Sequence, residues 1–275
     1  MRIIIAGGGL KTIEHMTIEV LEAMLVSSKV FVLYHDIKVV ESLCRWYYES
    51  RNYNTKFPEF ISLDQFYKKD VLRIDNYNRA TSNIINSLGS DTIGVVCYLT
   101  QGNPIAFDSV TQILQERAKS NGYTITMLPG ISSLDTVLLD LGIEIAPGIQ
   151  IYDSSCIVGQ NLIPRTDLSC ILLQLNVFGT GYISKGKKIK TGTLKLLQDY
   201  LLQHYPESHK MNIVRSESSF TNGTIYDFTL LDMDKLDQSL LYGSCLFIPP
   251  LTSPKMSKEF EALLGSQEFF EKNYH

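Results

Sequence analysis

Three times in its first half the chain runs from a short apolar segment straight into a turn that carries glycine. Ile3 to Ala6 stops at Gly7-Gly8-Gly9. Thr92 to Leu99 leads into Gln101-Gly102-Asn103-Pro104, and Tyr123 to Leu128 leads into Pro129-Gly130-Ile131-Ser132-Ser133. Helical spacing fills the intervals. Thr17 to Ser27 carries Ile18, Leu21 and Leu25 on one face, Ser109 to Ser120 closes at Asn121-Gly122, and Ser133 to Leu141 closes at Gly142. Val30 to Tyr34 is a further apolar run, and Leu63 to Leu88 reads mostly as helix, closed by Gly89. Apolar strands alternating with amphipathic helices predict a mainly parallel sheet covered on both faces. Strand carboxyl ends share one edge of such a sheet, so the three turns should converge there.

The second half has a different rhythm. Gly148 to Ser155, Ser169 to Leu175, Asn212 to Ser216, Gly223 to Leu230 and Ser244 to Ile248 read as strands, with one helix at Thr193 to Gln203. Strands outnumber helices, which predicts an α+β part with antiparallel pairing. The expected architecture is α/β in two domains. Residues 1–145 form the first and 146–250 the second, with a ligand cleft between them. Residues 251–275 form a polar tail on the surface.

Bulk numbers exclude several classes. Of 275 residues, 44% are hydrophobic and 20% charged, the balance of a folded chain. Lys and Arg total 25 against 29 Asp and Glu, a formal charge of −4, whereas nucleic-acid binders carry the opposite excess. No apolar run approaches the roughly 20 residues that span a membrane, and the start lacks a signal-type apolar region. Five scattered cysteines without a Cys-x-x-Cys pair read as buried thiols in a reducing, cytoplasmic setting. Five histidines without ligand spacing predict no metal.

Three motifs come close and fail. Gly7 to Thr12 supplies two glycines of a dinucleotide fingerprint but has Thr12 in the third place. Gly181 to Lys188 lacks the final Ser or Thr of a P-loop; it and its run Lys185-Gly186-Lys187-Lys188 read as an exposed basic loop. Gly130 to Leu134 lacks the closing glycine of a nucleophile elbow.

The order of turns resembles the tetrapyrrole methylase superfamily. The matching pieces are Ile5 to Gly9, Tyr98 to Pro104, Met127 to Ser133, Ile171 to Gln174 and Leu246 to Pro250. The resemblance implies S-adenosylmethionine as cofactor, leaving as S-adenosylhomocysteine. It also implies cofactor contacts at Gly7, Gly8, Gly9 and Leu10, at Tyr98, Gln101, Gly102, Asn103 and Pro104 with Ala106 and Phe107 beyond, and at Ser132 and Ser133. Gln174, Glu217, Gly243 and Ser244 lie where the family lines the same pocket. The second turn is Gly-Asn-Pro where the family usually has Gly-Asp-Pro or Gly-His-Pro, and the first is Gly-Gly-Gly-Leu in place of Gly-x-Gly-x-Gly.

One branch is more similar. Met127 to Asp135 followed by Asp140-Leu141-Gly142-Ile143, together with Tyr67, Arg73 and Tyr77, resembles the borosin peptide α-N-methyltransferases. These methylate backbone amides of a ribosomally made precursor. Nothing after Pro250 looks like an apolar core peptide, so the resemblance implies a separately encoded precursor, a homodimer, and a heterotetramer once the precursor binds.

An amide nitrogen is a poor nucleophile, because its lone pair is delocalised into the carbonyl. Methylation needs that proton removed and the charge on oxygen stabilised. A tyrosine can serve as base if a guanidinium favours its phenolate. Arg73 and Tyr77, four apart, should share a helix face; Tyr67 reaches them if the segment bends. The expected roles are Tyr67 as base, Arg73 as its activator and Tyr77 as donor to the amide oxygen. A small-molecule C-methyltransferase of the same fold, or a non-catalytic cofactor-binding protein, stand as alternatives. The aromatic group Trp46, Tyr47, Tyr48, Tyr53 and Phe57 reads as helix packing.

Overall fold

Ile3, Ile4 and Ile5 alternate between the two faces of a sheet, and this alternation organises the first half of the molecule. The computed structural model describes residues 1–89, 94–182 and 190–274. Strands β1 (Arg2–Gly7), β2 (Lys29–Leu33), β3 (Glu59–Ser62), β4 (Val95–Thr100) and β5 (Thr124–Leu128) pair in the order β3-β2-β4-β1-β5, all parallel. Ile4, Val30, Val32, Cys97 and Leu99 face helices α1 (Ile18–Leu25) and α2 (Ile37–Ser50). Ile3, Ile5, Phe31, Val96 and Tyr98 face α3 (Arg73–Leu88) and α4 (Ser109–Ser120). Both faces are covered, as parallel strands require.

Helix α5 (Ser133–Leu141) leads to the second sheet. Its strands are β6 (Ile149–Asp153), β7 (Ser169–Leu173), β8 (Lys210–Arg215), β9 (Thr224–Thr229) and β10 (Cys245–Ile248), in the order β6-β7-β10-β8-β9. Only β6 and β7 run parallel. Helices α6 (Ser154–Gly159) and α7 (Lys195–Leu201) cover one face. The other face, with Ile171, Leu173, Val214 and Phe247, packs on Val137 of α5. That apolar contact joins the two sheets. Helices α8 (Lys258–Leu264) and α9 (Gln267–Asn273) follow, with no buried residue.

The α/β class with one parallel and one mixed sheet agrees with the pattern of apolar runs. Several boundaries do not. The expected helix over Leu63–Leu88 is broken: a 3₁₀ turn spans Leu63–Phe66, and α3 starts only at Arg73. The break is held by Asn76, whose side chain is fully buried. Its Oδ1 accepts from the Lys68 amide at 2.8 Å and its Nδ2 donates to the Lys68 carbonyl at 2.9 Å. The backbone of 67–72 is thereby turned away from the helix. The strand expected to reach Ser155 stops at Asp153, which caps α6 instead. Helix α2, whose Val40, Cys44 and Tyr47 form a buried stripe, and strand β3 are not among the expected elements. Thr92 and Ile93, and the near-P-loop from Ile183 to Lys188 with its basic run, lie outside the described residues. Among those described, no helix is long and apolar enough to cross a membrane.

Candidate active site

The three glycine turns meet in one place. The Gly9 and Gly102 backbones bridge each other, with Gly102 N donating to the Gly9 carbonyl at 2.9 Å, and Gly8 N donates to the Thr100 carbonyl at 2.8 Å. A Cβ on Gly7 would stand 2.5 Å from the Gly102 carbonyl oxygen and 2.6 Å from Gly130 N. These are backbone atoms and cannot swing away, so Gly7 and Gly130 are required by space alone. Gly9 and Gly102 have φ of +72° and +73°, which glycine adopts freely.

Side chains fix the turns from behind. His35, buried beneath Gly8, faces Thr12 Oγ1 at 3.1 Å and the Thr100 carbonyl at 3.4 Å. Burial holds its ring below the usual histidine range, against the pull of that carbonyl. Ser132 caps α5 in a reciprocal box with Asp135. Asn103 Oδ1 accepts from Ile105 N at 3.1 Å, so the Asn of Gly-Asn-Pro shapes its own turn. Tyr98 is fully buried and donates to Asp108 at 2.9 Å, so it supports the site from within the core. Ala106 is half-buried and Phe107, at φ +61°, is exposed beside it; Pro104 is buried, Gln101 half-buried.

The second sheet brings its own edge. Antiparallel pairing of β7 with β10 sets Gln174, in left-handed backbone at φ +64°, at the same end as Gly243 and Ser244. The Ser244 hydroxyl is already committed to the Leu240 carbonyl. The segment after β8 reaches across to the first turn. Ser219 N donates to the Leu10 carbonyl at 3.1 Å and its Oγ accepts from Thr12 N at 2.8 Å. Glu217 and Lys11 form an exposed ion pair at 2.5 Å. Ser216 donates to Asp140 of α5 at 2.5 Å. All three turns are thus brought together, and Glu217 with them, while the hydroxyls of Ser132 and Ser244 serve local structure.

Tyr67, Arg73 and Tyr77 form a second cluster. The Tyr67 and Tyr77 rings stand edge to face, centroids 6.4 Å apart. The Tyr67 hydroxyl is buried without a hydrogen-bond partner, an uncommon condition for such a group. Burial, then the neighbouring Tyr34 phenol, pushes Tyr67 far above the usual tyrosine range. Burial also raises Tyr77, but there the Arg73 guanidinium opposes it. The Arg73 guanidinium thus acts on the Tyr77 phenol, while burial and the Tyr34 phenol act on Tyr67. Arg73 begins the helix, so its side chain lies one turn from Tyr77, whereas Tyr67 lies outside the helix. Arg73 Nη2 also donates to the Thr180 carbonyl at 2.7 Å and its backbone N to Gly181 at 2.7 Å, tying the cluster to the second half of the chain.

Spacing alone did not reveal Asn76, whose two bonds to Lys68 set Tyr67 against Tyr77. A lone Asn within a helical pattern gives no signal. Asn76→Ala is expected to cost about 2 kcal/mol, the penalty for stranding buried backbone groups. Denaturant unfolding beside Asn86→Ala, an exposed position on the same helix, checks it; equal losses would remove this role. Of the aromatic group, Tyr47 is buried on α2 and Tyr48 packs with Tyr53 and Phe57 beyond the helix, whereas Trp46 is exposed and does not pack as expected. Tyr48 stacks on Tyr53 at 5.8 Å, and Tyr47 and Tyr53 both donate to Glu22. Two surface hollows, about 560 Å³ beside Trp46 and about 420 Å³ beside Arg79, lie away from the glycine turns.

The chain is similar to known proteins in sequence and in fold. The family model of tetrapyrrole (corrin/porphyrin) methylases matches residues 2–215. A methyltransferase/ribosomally synthesized type II borosin cyclic peptide precursor of Phlebiopsis gigantea is 27% identical over 255 residues, covering 90% of this chain and 43% of its own length. The methyltransferase/gymnopeptides precursor of Gymnopus fusipes is 26% identical over 281 residues, covering 98% of this chain and 63% of its own. The chain thus spans about two-fifths to three-fifths of the length of these relatives. Uroporphyrin-III-C-methyltransferase of Thermus thermophilus superposes with a TM-score of 0.59 at 16% identity, covering 93% of this chain and 97% of that one; at this identity the match shows the fold.

Proposed function

The chain belongs to the tetrapyrrole (corrin/porphyrin) methylase family, and from that premise we propose that it methylates backbone amide nitrogens of a ribosomally made peptide with S-adenosylmethionine. The relatives that match most of its length carry ribosomally synthesized cyclic peptide precursors in their names, one of them a borosin, which supports a peptide substrate. The glycine turns suit the cofactor. They offer backbone N–H and carbonyl groups at close approach, and the one cation among them, Lys11, is neutralised by Glu217. Gly7 to Leu10, Gln101 to Pro104, Ser133 and Gln174 would hold it. When bound, it supplies an electrophilic methyl group on sulfur.

The chain's own residues prepare the amide. Tyr77, beside Arg73, takes the amide proton, because the guanidinium favours its phenolate. Tyr67 stays protonated and donates its hydroxyl to the amide oxygen as charge gathers there. The observation that carries the proposal is this pairing of a buried hydroxyl without a partner and an arginine-assisted phenol, in rings 6.4 Å apart. The family resemblance further supports a homodimer, and a heterotetramer with a peptide bound in trans. Tandem mass spectrometry of a precursor peptide incubated with the chain and S-adenosylmethionine is expected to place added methyl groups on backbone nitrogens. Methyl groups on side chains alone, or none, would overturn the proposal.

A further inference from the structure

Lys68 follows Tyr67 in the chain and Asn78 follows Tyr77, and both line the hollow of about 420 Å³ beside Arg79. Phe66 lines it too and packs on the same core cluster as the two phenols, so the hollow shares a wall with the candidate site. Its charge is one-sided. Lys68 is exposed and Arg79 half-buried. Arg117 of α4 meets two more of the lining residues, donating to Asn78 Oδ1 and Ser82 Oγ, each at 2.7 Å. No carboxylate lines the hollow. Among the described residues, none forms an ion pair with Lys68, Arg79 or Arg117. Asp75 stands four residues before Arg79, a spacing that favours an ion pair on a helix. The guanidinium donates instead to the neutral Asn76 Oδ1 at 3.0 Å.

A half-buried guanidinium has lost part of its hydration, so an anion placed beside it gains more than one at an open surface. The planar fork of Arg79 has donors to spare beyond the bond to Asn76, and its geometry matches a carboxylate. The chain as a whole carries a formal charge of −4, so its overall field does not draw acidic partners; the attraction is local to this hollow. We propose that the hollow docks an acidic segment of the peptide substrate, whose carboxylates pair with Arg79 and Lys68. The inference rests on the peptide reading above. Asn78 keeps its side-chain N–H groups, and Asn83 its Oδ1, without a partner among the described residues. They offer a donor and an acceptor to the backbone of the docked segment. Docking here holds a peptide beside the phenol pair without occupying it.

The test uses a fluorescein-labelled hexaglutamate peptide, with hexaglutamine as its neutral counterpart and anisotropy as the readout. Wild type is expected to prefer hexaglutamate by about tenfold or more at low salt, a preference that fades as salt rises. Arg79→Gln is expected to weaken hexaglutamate binding about tenfold, the scale of one charge-assisted pair. Lys68→Gln, at the exposed rim, should weaken it only about two- to fivefold. Lys38→Gln removes the same charge from an exposed position on α2 and should change nothing. Equal binding of the two peptides, or a loss in Lys38→Gln as large as in Arg79→Gln, would overturn the proposal. So would tighter binding of inorganic phosphate or of an oligonucleotide than of hexaglutamate. Should Arg79→Gln melt early, Gln65→Glu serves. Gln65 is exposed and lines the hollow, so an added carboxylate there should repel hexaglutamate, and unchanged affinity would overturn the docking site. A chain that methylates no amide yet binds hexaglutamate through Arg79 overturns the proposed function and leaves the hollow as a site for acidic peptide.

Discussion

Tyr77→Phe is expected to cut amide methylation by about 10²- to 10⁴-fold, the range typical for loss of a positioned general base. The fold should hold, because the ring and its contact with Tyr67 remain. Cofactor affinity should hold as well, since Tyr77 lies on α3 and the glycine turns lie at the ends of β1, β4 and β5. The pH dependence separates the roles. The active form of a phenol base is the phenolate, so the rate rises with pH toward its ionisation. Burial lifts that ionisation and Arg73 lowers it. Arg73→Leu therefore moves the rising limb to higher pH, with the greatest loss near neutrality and partial recovery in alkali. Tyr67→Phe removes a donor, so it lowers the rate at every pH without moving the limb. Rates of Arg73→Leu and Tyr67→Phe across pH, with melting measured in parallel, decide the matter. A limb that moves for Tyr67→Phe and stays for Arg73→Leu would return the role of base to Tyr67.

The strands and the glycine turns could be read in the sequence because each has a local cause. Ile3 to Ile5 are β-branched and apolar, and a turn at Gly7 must follow where the strand ends. The break before Arg73 could not be read so. Residues 63–88 have helical spacing almost throughout, and the competing contact, Asn76 with Lys68, spans eight residues. The four-residue spacing of Arg73 and Tyr77 is legible, whereas the place of Tyr67, six residues before Arg73, depends on this break and not on helical spacing. Tyr34 and His35 were hidden for another reason. Their contacts with Tyr67, Thr12 and Thr100 arise only when β2 lies beside β4. Strand β3 is only four residues long and has no regular apolar alternation, whereas α2 does carry a periodic stripe, Val40, Cys44 and Tyr47, within an otherwise polar and aromatic segment. The association of borosin-like residues with a particular substrate lies outside periodicity altogether and entered through resemblance.

Gly130→Ala is expected to be the most damaging single-methyl change in the chain. Gly130 has no positive φ, so backbone preference does not demand glycine there. Space does: an added Cβ would lie 2.6 Å from both the carbonyl carbon and oxygen of Gly7, and closer still to the Gly102 oxygen. All are main-chain atoms, held by the bonds that bring the turns together, so relief requires the turns to part. A loss of about 3 kcal/mol or more, at or above the upper end of the usual overpacking range, or failure to fold, is expected because the crowded atoms are fixed backbone. Gly122→Ala is the comparison. Its φ of +69° is unfavourable for alanine, but nothing lies within 4 Å of the added carbon, so about 1–2 kcal/mol is expected. Denaturant midpoints of the two variants should differ clearly, and equal midpoints would mean that the three turns do not meet as described. Gly7→Ala gives a stricter test, because it strains the same contact from the other side. Once either methyl has forced the turns apart, the second meets less resistance. The double variant should therefore lose less than the sum of the single losses, as coupled neighbours do, whereas Gly7→Ala and Gly122→Ala, far apart in the fold, should add.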